Sequence, residues 1–343
     1  MSKVLIVHAH PEPKSLTSAL KDHATTTLRA HKHEVQVSDL YASAWNAVAS
    51  RADFLQPVQP DRLLYATESG FAFAGRSQSA DIEGEQEKLL WADAVILSFP
   101  MWWFSMPAIL KGWIDRVFAL GFAYGVGEHE GERWGDRYGE GTLTGRRAML
   151  TVTMGGHESH YGPRGVNGAI DDILWPIQHG VLFYPGMEVL PPFLIYQSHG
   201  LTEADWPEVA SRYERRLEGL FTDRPIPFRT QNSGHYDAQQ ALKPRLGGGG
   251  GSRGPAALCG RRREFPVRTG KYREVSRLSG RRGGRRDRNP TASPGFRREF
   301  PGAPNREHFR GIRERNDIAA VEQGITEGLH QVCRPSVVAV RRQ

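Results

Sequence analysis

The first 250 residues contain no cysteine; both, Cys259 and Cys333, come later. That absence excludes thiol catalysis, disulfides and cysteine-ligated metal from the larger part of the chain. Long apolar runs are missing too. Met1-Ser2-Lys3 leads directly into a short apolar segment, and no stretch approaches the length of a membrane span. A soluble cytoplasmic protein without membrane insertion is expected. No metal site is expected either, because no His, Asp or Glu pair has ligand spacing on one element. The dipeptides His129-Glu130 and His157-Glu158 direct their side chains apart.

Charge is scarce in one half and abundant in the other. The formal net charge is +7, but residues 251–343 hold 22 Arg and Lys against 9 Asp and Glu, which leaves 23 against 29 in residues 1–250. All eight Trp lie at or before Trp206. From Gly247, five consecutive glycines open a segment dominated by Arg, Gly and Pro, in which Arg262-Arg263-Glu264-Phe265-Pro266 recurs as Arg297-Arg298-Glu299-Phe300-Pro301. Such a composition buries too little apolar surface to offset its ordering entropy. Residues 1–246 are therefore expected to form one folded domain. Residues 247–343 are expected to form a low-complexity basic tail, disordered over 247–315, with one short helix over 317–332. The Arg/Gly run attracts phosphates but lacks the interleaved aromatics of a stacking platform, so no specific nucleic-acid partner is expected.

Within the first 225 residues, apolar strand-like runs alternate with helical patterns. Lys3–Val7, Glu34–Ser38, Ala94–Ser98, Ala148–Val152 and Met187–Leu190 read as strands. Helices are expected over Ser15–Ala30, Glu83–Trp91, from Pro107 onward, Ile170–Gln178 and Asp205–Leu220. Residues 45–82 read as irregular and exposed, and Gly121–Gly145 as a long excursion rich in glycine and charge. This alternation implies a doubly wound parallel sheet in a three-layer αβα arrangement. The loop after the first strand, His8-Ala9-His10-Pro11-Glu12-Pro13-Lys14, lacks G-x-G-x-x-G. The dinucleotide-binding version is therefore disfavoured, and the flavodoxin-like strand order 2-1-3-4-5 fits.

The most informative stretch follows the third strand. Phe99 and Pro100 end it, Pro107 opens the next helix, and Leu110, Trp113, Ile114 and Val117 fall on one helical face. Between the prolines stand Met101, Trp102, Trp103 and Phe104, at the carboxyl end of a sheet strand, where open α/β sheets bind ligands. These aromatics read either as ordinary core or as a loop that holds a flat conjugated ring. Ser15, Leu16 and Thr17 begin the first helix, where free N–H groups and hydroxyls make an anion site; Ser15 is equally a plain helix cap. Thr153, Met154, Gly155 and Gly156 end the fourth strand, as a simple turn or as backbone donors that a ring can approach closely.

The segment Phe99–Val117 resembles the flavin-binding segment of the NAD(P)H:quinone oxidoreductases, the DT-diaphorase family, in which Phe-Pro-x-x-Trp-Phe-x-x-Pro-Ala-x-Leu-Lys-Gly-Trp recurs. The resemblance extends over roughly residues 1–225. It implies a flavodoxin-like fold and a ping-pong transfer of a hydride from NAD(P)H, through a flavin, to a quinone or similar acceptor. The resemblance puts the flavin diphosphate at His10 and Ser15–Thr17, and the isoalloxazine ring at Pro100–Phe104. Main-chain N–H groups of Trp102, Trp103 and Phe104 are expected at the ring's polar edge, with donors from Thr153, Gly155 and Gly156. Tyr161 matches the family's active-site tyrosine. The family histidine six residues later is Asn167 here, so either a proton carrier is dispensable or His157 or His160 supplies it. Phe122, Ala123 and Tyr124 match a segment that walls the substrate pocket across a homodimer interface. The length of the core and its excursion imply FAD rather than FMN. Other functional classes compatible with the sequence are an ancillary subunit of a potassium-efflux transporter, a one-electron flavodoxin-type carrier and an Arg-rich nucleic-acid binder.

Overall fold

A continuous apolar run forms a stable strand only where both of its faces are covered. Strand β1 (Lys3–His8) meets that condition, with Val4, Leu5, Ile6 and Val7 all fully buried. The computed structural model describes residues 1–59, 61–129, 133–244 and 246. The expected disordered tail and its short helix lie outside the described residues.

Strands β2 (Glu34–Asp39), β3 (Ala94–Pro100), β4 (Arg147–Thr153), β5 (Glu188–Val189) and β6 (Phe193–Ile195) complete a parallel sheet ordered β2-β1-β3-β4-β5, with β6 also on β4. Register aligns Leu5 with Val95 and Ile96 with Met149. Every residue of β3 and β4 is buried. Helices α1 (Leu16–Ala30) and α6 (Trp206–Glu218) cover one face, packing Leu20, Leu28, Tyr213 and Leu217 on Val4, Ile6 and Ile96. Helices α3 (Ala80–Trp91), α4 (Ala108–Val117) and α5 (Ile170–Ile177) contribute Leu89, Leu110, Trp113 and Leu174 to the core on the other, with Leu5, Val95 and Leu150. The result is the expected three-layer flavodoxin-like arrangement.

Two expectations need correction. The last strand, read as Met187–Leu190, is two short pieces interrupted by Pro191 and Pro192. A proline donates no ladder hydrogen bond, so pairing with β4 stops at Ala148 and resumes at Thr151. Residues 45–82 are not simply irregular and exposed: they contain helix α2 (Tyr65–Gly75), whose buried residues are Glu68, Ser69 and Ala72. With so little apolar surface turned inward, α2 shows no helical stripe in the sequence. The Glu68 carboxylate instead accepts the Val58 and Gln59 N–H groups, each at 2.8 Å.

Arg116 anchors this segment to α4. It is 3% exposed and donates to Asp53 at 3.0 Å, to Asp81 at 2.7 Å and to the Asn46 carbonyl at 2.9 Å. Its guanidinium lies 4.6 Å from the Trp45 ring centroid, and Tyr65 donates to the same Asp53 at 2.6 Å. Gly112, one turn earlier, permits the approach, since a Cβ there would lie 2.1 Å from the Ala47 carbonyl oxygen.

Arg116→Leu leaves the Asp53 carboxylate buried without a counter-charge and is expected to lower unfolding free energy by about 3–5 kcal/mol. Asp53→Ala combined with Arg116→Leu should lose less than the two single losses added. Urea unfolding of the three variants measures this; additive losses would show that the two groups do not act as a pair.

Two buried histidines set the acid response. Burial drives His8, held between Ser18 and Ser98, down to about 4, and does the same to His179. Both are neutral in the folded state at pH 7, whereas the unfolded chain takes up protons near pH 6.5. Stability should therefore be greatest above that pH and fall as pH drops through roughly 6 to 5, before most carboxylates titrate. Urea midpoints across this range test the expectation; a flat profile would contradict it.

Candidate functional site

Because β1, β3 and β4 run parallel, the loops that follow them emerge at one edge of the sheet. Their backbones are tied together there. Ala9 donates to the Ser98 carbonyl at 3.0 Å, and Met101 to the Thr153 carbonyl at 2.8 Å. The buried hydroxyls of Thr17 and Thr153 share a hydrogen bond of 2.8 Å, fixing the start of α1 against the end of β4. His10 and Trp102, from two of these loops, stand 6.2 Å apart between ring centroids.

At the start of α1, Ser15 is the cap, accepting the Ser18 N–H at 3.1 Å. The N–H groups of Leu16 and Thr17 have no partner among the described residues. His10 Nδ1 lies 3.0 Å from the Glu12 nitrogen, whose N–H donates to it in one tautomer, and 3.2 Å from the Glu12 carbonyl oxygen, which accepts from it in the other. Burial holds the His10 pKa below its ordinary value, so that the ring is neutral at pH 7. A cavity of about 390 Å³ adjoins this helix start, lined in part by Lys14, Leu16, Ser198, Thr202 and Trp206.

The loop after β3 is a tight reversal. Trp102 and Ser105 exchange both backbone hydrogen bonds at 3.0 Å, with Trp103 and Phe104 between them at φ of +48° and +63°. This is the type I′ geometry that Asn-Gly favours. Bulky residues at positive φ cost of order 1–3 kcal/mol each and persist only where the surroundings impose them. Pro100, as the last residue of β3, and Pro107, as the cap of α4, bracket the loop. Met101 packs on the core, whereas Trp103 is 95% exposed, Phe104 51% and Trp102 41%. The aromatics are therefore not core. One detail differs from expectation: the Trp102 N–H is occupied by the Ser105 carbonyl, so only Trp103 and Phe104 offer main-chain donors without a partner among the described residues.

After β4, Met154 is buried, and the N–H groups of Gly155 and Gly156 are likewise without a partner among the described residues. The segment after β6 clamps this loop: Ser198 donates to the Met154 carbonyl and Gln197 to the Gly156 carbonyl, both at 3.0 Å. Neither glycine has room for a side chain. A Cβ on Gly156 would lie 2.8 Å from the Tyr161 ring, and one on Gly155 would lie 2.8 Å from the His199 ring. Tyr161 is buried with its ring 5.7 Å from that of Tyr196, and its hydroxyl has no partner among the described residues. Asn167 is half-buried and tied by its N–H to the His160 carbonyl at 2.9 Å; His160 lies 5.1 Å from His157 between ring centroids.

Tyr196, Gln197 and His199 were not among the sequence candidates, because Pro191-Pro192 hides β6 and hence the loop that follows it. The signal was the Phe193-Leu194-Ile195 run after the prolines. Phe122 and Ala123 are buried in the core of this chain, with the Phe122 ring 5.6 Å from Phe73, while Tyr124 of that trio retains accessible surface.

Comparison with known proteins places this edge in context. Residues 2–217 match the family model described as "Flavodoxin-like fold". A ribosyldihydronicotinamide dehydrogenase-like protein, traD, of Penicillium crustosum is 53% identical over 234 residues, covering 68% of this chain and 86% of the relative. The Homo sapiens ribosyldihydronicotinamide dehydrogenase [quinone] is 39% identical over 226 residues, covering 66% of this chain and 94% of the relative. A solved Klebsiella pneumoniae structure, proposed to be a quinone reductase, is 54% identical with a TM-score of 0.73, covering 76% of this chain and all of the other. With the Phe-Pro-x-x-Trp-Phe segment folded at the carboxyl edge and relatives matched over most of their length, the chain belongs to the NAD(P)H:quinone oxidoreductase family of flavodoxin-like proteins.

Proposed function

We propose that the protein is a flavin-dependent two-electron reductase that takes a hydride from NAD(P)H and delivers it to a quinone, the two substrates using one pocket in turn. The observation that carries this reading is the Trp102–Ser105 reversal. It holds two aromatic side chains, and two N–H groups without a partner among the described residues, at the carboxyl edge, in a backbone geometry that such residues adopt only under constraint.

The residues present fit a flavin nucleotide. The Leu16 and Thr17 N–H groups, at the start of a 15-residue helix, suit a phosphate, and His10 stands on the loop that leads into that helix. Trp103, Phe104, Gly155 and Gly156 offer flat surface and open backbone donors for a ring. Of the two flavins, FAD is favoured, because the cavity beside Lys14 and Trp206 gives room beyond the phosphate position for a nucleotide extension. A homodimer is part of the same reading, since the 95% exposed Trp103 stands uncovered in one protomer and Tyr124 keeps accessible surface.

A bound flavin supplies the two-electron acceptor and donor that no side chain here provides. The chain's own groups bind, orient and polarise. Gly155 and Gly156 present N–H donors fixed in advance by the Gln197 and Ser198 clamp, so they need no reorganisation as negative charge develops nearby. The Tyr161 hydroxyl donates a hydrogen bond to the acceptor oxygen. Asn167 also donates but carries no proton near neutral pH.

The absorbance spectrum of the purified protein and the mass of the cofactor released on denaturation test the first claim. FAD is expected; a colourless, flavin-free protein that takes up neither flavin would refute it.

The double variant Trp103→Asn/Phe104→Gly installs the residues that the turn favours. It is expected to stabilise the flavin-free protein by about 1–2 kcal/mol, because left-handed backbone ceases to be strained. Flavin retention should fall at the same time. Thermal melts of the stripped protein and flavin dissociation constants give the two readouts, and unchanged flavin affinity would remove these aromatics from the site.

Tyr161→Phe keeps the ring packing and removes one donor. Flavin content should stay normal while quinone reduction slows roughly ten- to a hundredfold, the value of a hydrogen bond to a group gaining charge. Stopped-flow measurement of both half-reactions checks this, and rates within a factor of two of the parent would make Tyr161 a packing residue.

A further inference from the structure

Strand β1 is apolar from Val4 to Val7 and then ends on His8, whose side chain is fully buried. Two buried hydroxyls flank it, Ser98 of β3 at 0% exposure and Ser18 of α1 at 2%. His8 Nδ1 lies 3.3 Å from Ser98 Oγ, and its Nε2 lies 3.1 Å from Ser18 Oγ. The line continues outward. The Ser15 hydroxyl donates to Ser18 Oγ at 3.0 Å, and the Ser18 hydroxyl donates to the Glu12 carbonyl at 2.9 Å. Glu12 and Ser15 belong to the turn that opens α1, where the Leu16 and Thr17 N–H groups have no partner among the described residues.

The direction of each bond follows from the protons available. A serine carries one hydroxyl proton, and that of Ser18 goes to Glu12, so Ser18 Oγ accepts from both Ser15 and His8. His8 therefore carries its proton on Nε2, and its Nδ1 accepts from the Ser98 hydroxyl. Burial keeps the ring neutral at pH 7, which preserves this arrangement. A leucine at this position would suit the apolar run of β1, but it would deprive Ser18 and Ser98 of a partner in a buried place, which is costly. The line also joins two halves of one rim. Ser98 is followed by Phe99 and Pro100, which lead into the Trp102–Ser105 reversal, and the Ser98 carbonyl accepts the Ala9 N–H at 3.0 Å.

Resting on the flavin reading above, we propose that His8 is a positioning residue for the cofactor phosphate: it braces the first turn of α1 on β3 and so makes the site selective for phosphorylated flavins over riboflavin. The Ser15 hydroxyl proton is turned inward to Ser18, so the donors left for a phosphate are the Leu16 and Thr17 main-chain N–H groups. Their aim is the aim of the helix turn itself. Braced through His8 on the strand that carries the aromatic loop, and through Thr17 on Thr153 at the end of β4, that turn stands at a fixed place relative to the ring-holding loops. Donors held in place beforehand bind an anion without an ordering cost.

Dissociation constants of FAD, FMN and riboflavin for the full-length protein, stripped of cofactor and refilled, test the proposal. FMN carries the phosphate without the adenosine, and riboflavin carries neither. His8→Leu should weaken FAD and FMN alike by about ten- to a hundredfold, with riboflavin changed by less than about twofold. His8→Gln should restore most of the loss, because its amide sets an acceptor toward Ser98 and a donor toward Ser18. Ser98→Ala, a milder cut in the same line, should weaken FAD and FMN by a smaller factor. Melting temperature reports whether each variant is folded, and Ser98→Ala decides the matter if His8→Leu does not fold. Unchanged FMN affinity in the folded variants would overturn the proposal. So would a loss shared equally by riboflavin, which would make His8 a packing residue, or His8→Gln binding no tighter than His8→Leu. A parent protein that binds no flavin would refute the functional reading itself, whereas FAD bound equally by parent and variants would refute only the role of His8.

Discussion

Parallel strands cannot be joined by a tight turn, so every return to the sheet requires a crossover and every strand ends at the same edge. The rest of this structure depends on that constraint. It gathers His10, Trp103, Gly155 and, through β6, His199 at one rim, although they are spread over nearly 190 positions of the sequence. Burial of every residue in β3 and β4 makes the rim rigid. The Thr17–Thr153 hydroxyl pair and the Met101–Thr153 backbone bond then lock the loops to one another.

A rigid rim can hold backbone that a free loop would relax. Trp103 and Phe104 occupy the left-handed region, Gly155 and Gly156 are closed in by His199 and Tyr161, and Gln197 sits at φ +52° in the clamp behind them. Together these leave N–H groups of the edge loops without a partner among the described residues and directed by their surroundings rather than by local propensity. Local strain and open donors are what a preorganised site requires, and the hydrophobic layers on both faces supply the stability that offsets them.

Away from the rim, polar interactions organise the segments that lack apolar pattern. Arg116, with Asp53, Asp81 and the Trp45 face, secures residues 45–82 against α4. Glu68 satisfies two backbone donors in place of an apolar contact. The excursion after α4 is held in the same manner, by Gln231, Asn232 and main-chain bonds to Phe183 and Tyr184. In both cases burial of a few hydrogen-bonded charges and amides takes the place of a hydrophobic stripe.

The sequence by itself determined the sheet, its order and the identity of the rim loops. Fully buried strands must be apolar throughout, prolines mark where ladder donors stop, and a helix that packs on a sheet repeats its apolar residues every three or four positions. Those signals are local, and Lys3–Val7, Ala94–Ser98, Pro100 and Pro107 carry them without ambiguity. Helix α2 escaped because its inward face is Glu68, Ser69 and Ala72, and β6 escaped because two prolines cut the last strand. Only the tertiary structure decided which aromatics are core and which are exposed: Phe122 and Trp113 are buried, whereas Trp103, equally apolar, is not. Only it showed that the Trp102 donor is taken and that His199 closes over Gly155. Such facts depend on contacts between residues far apart in the chain, and composition, spacing and periodicity do not encode them.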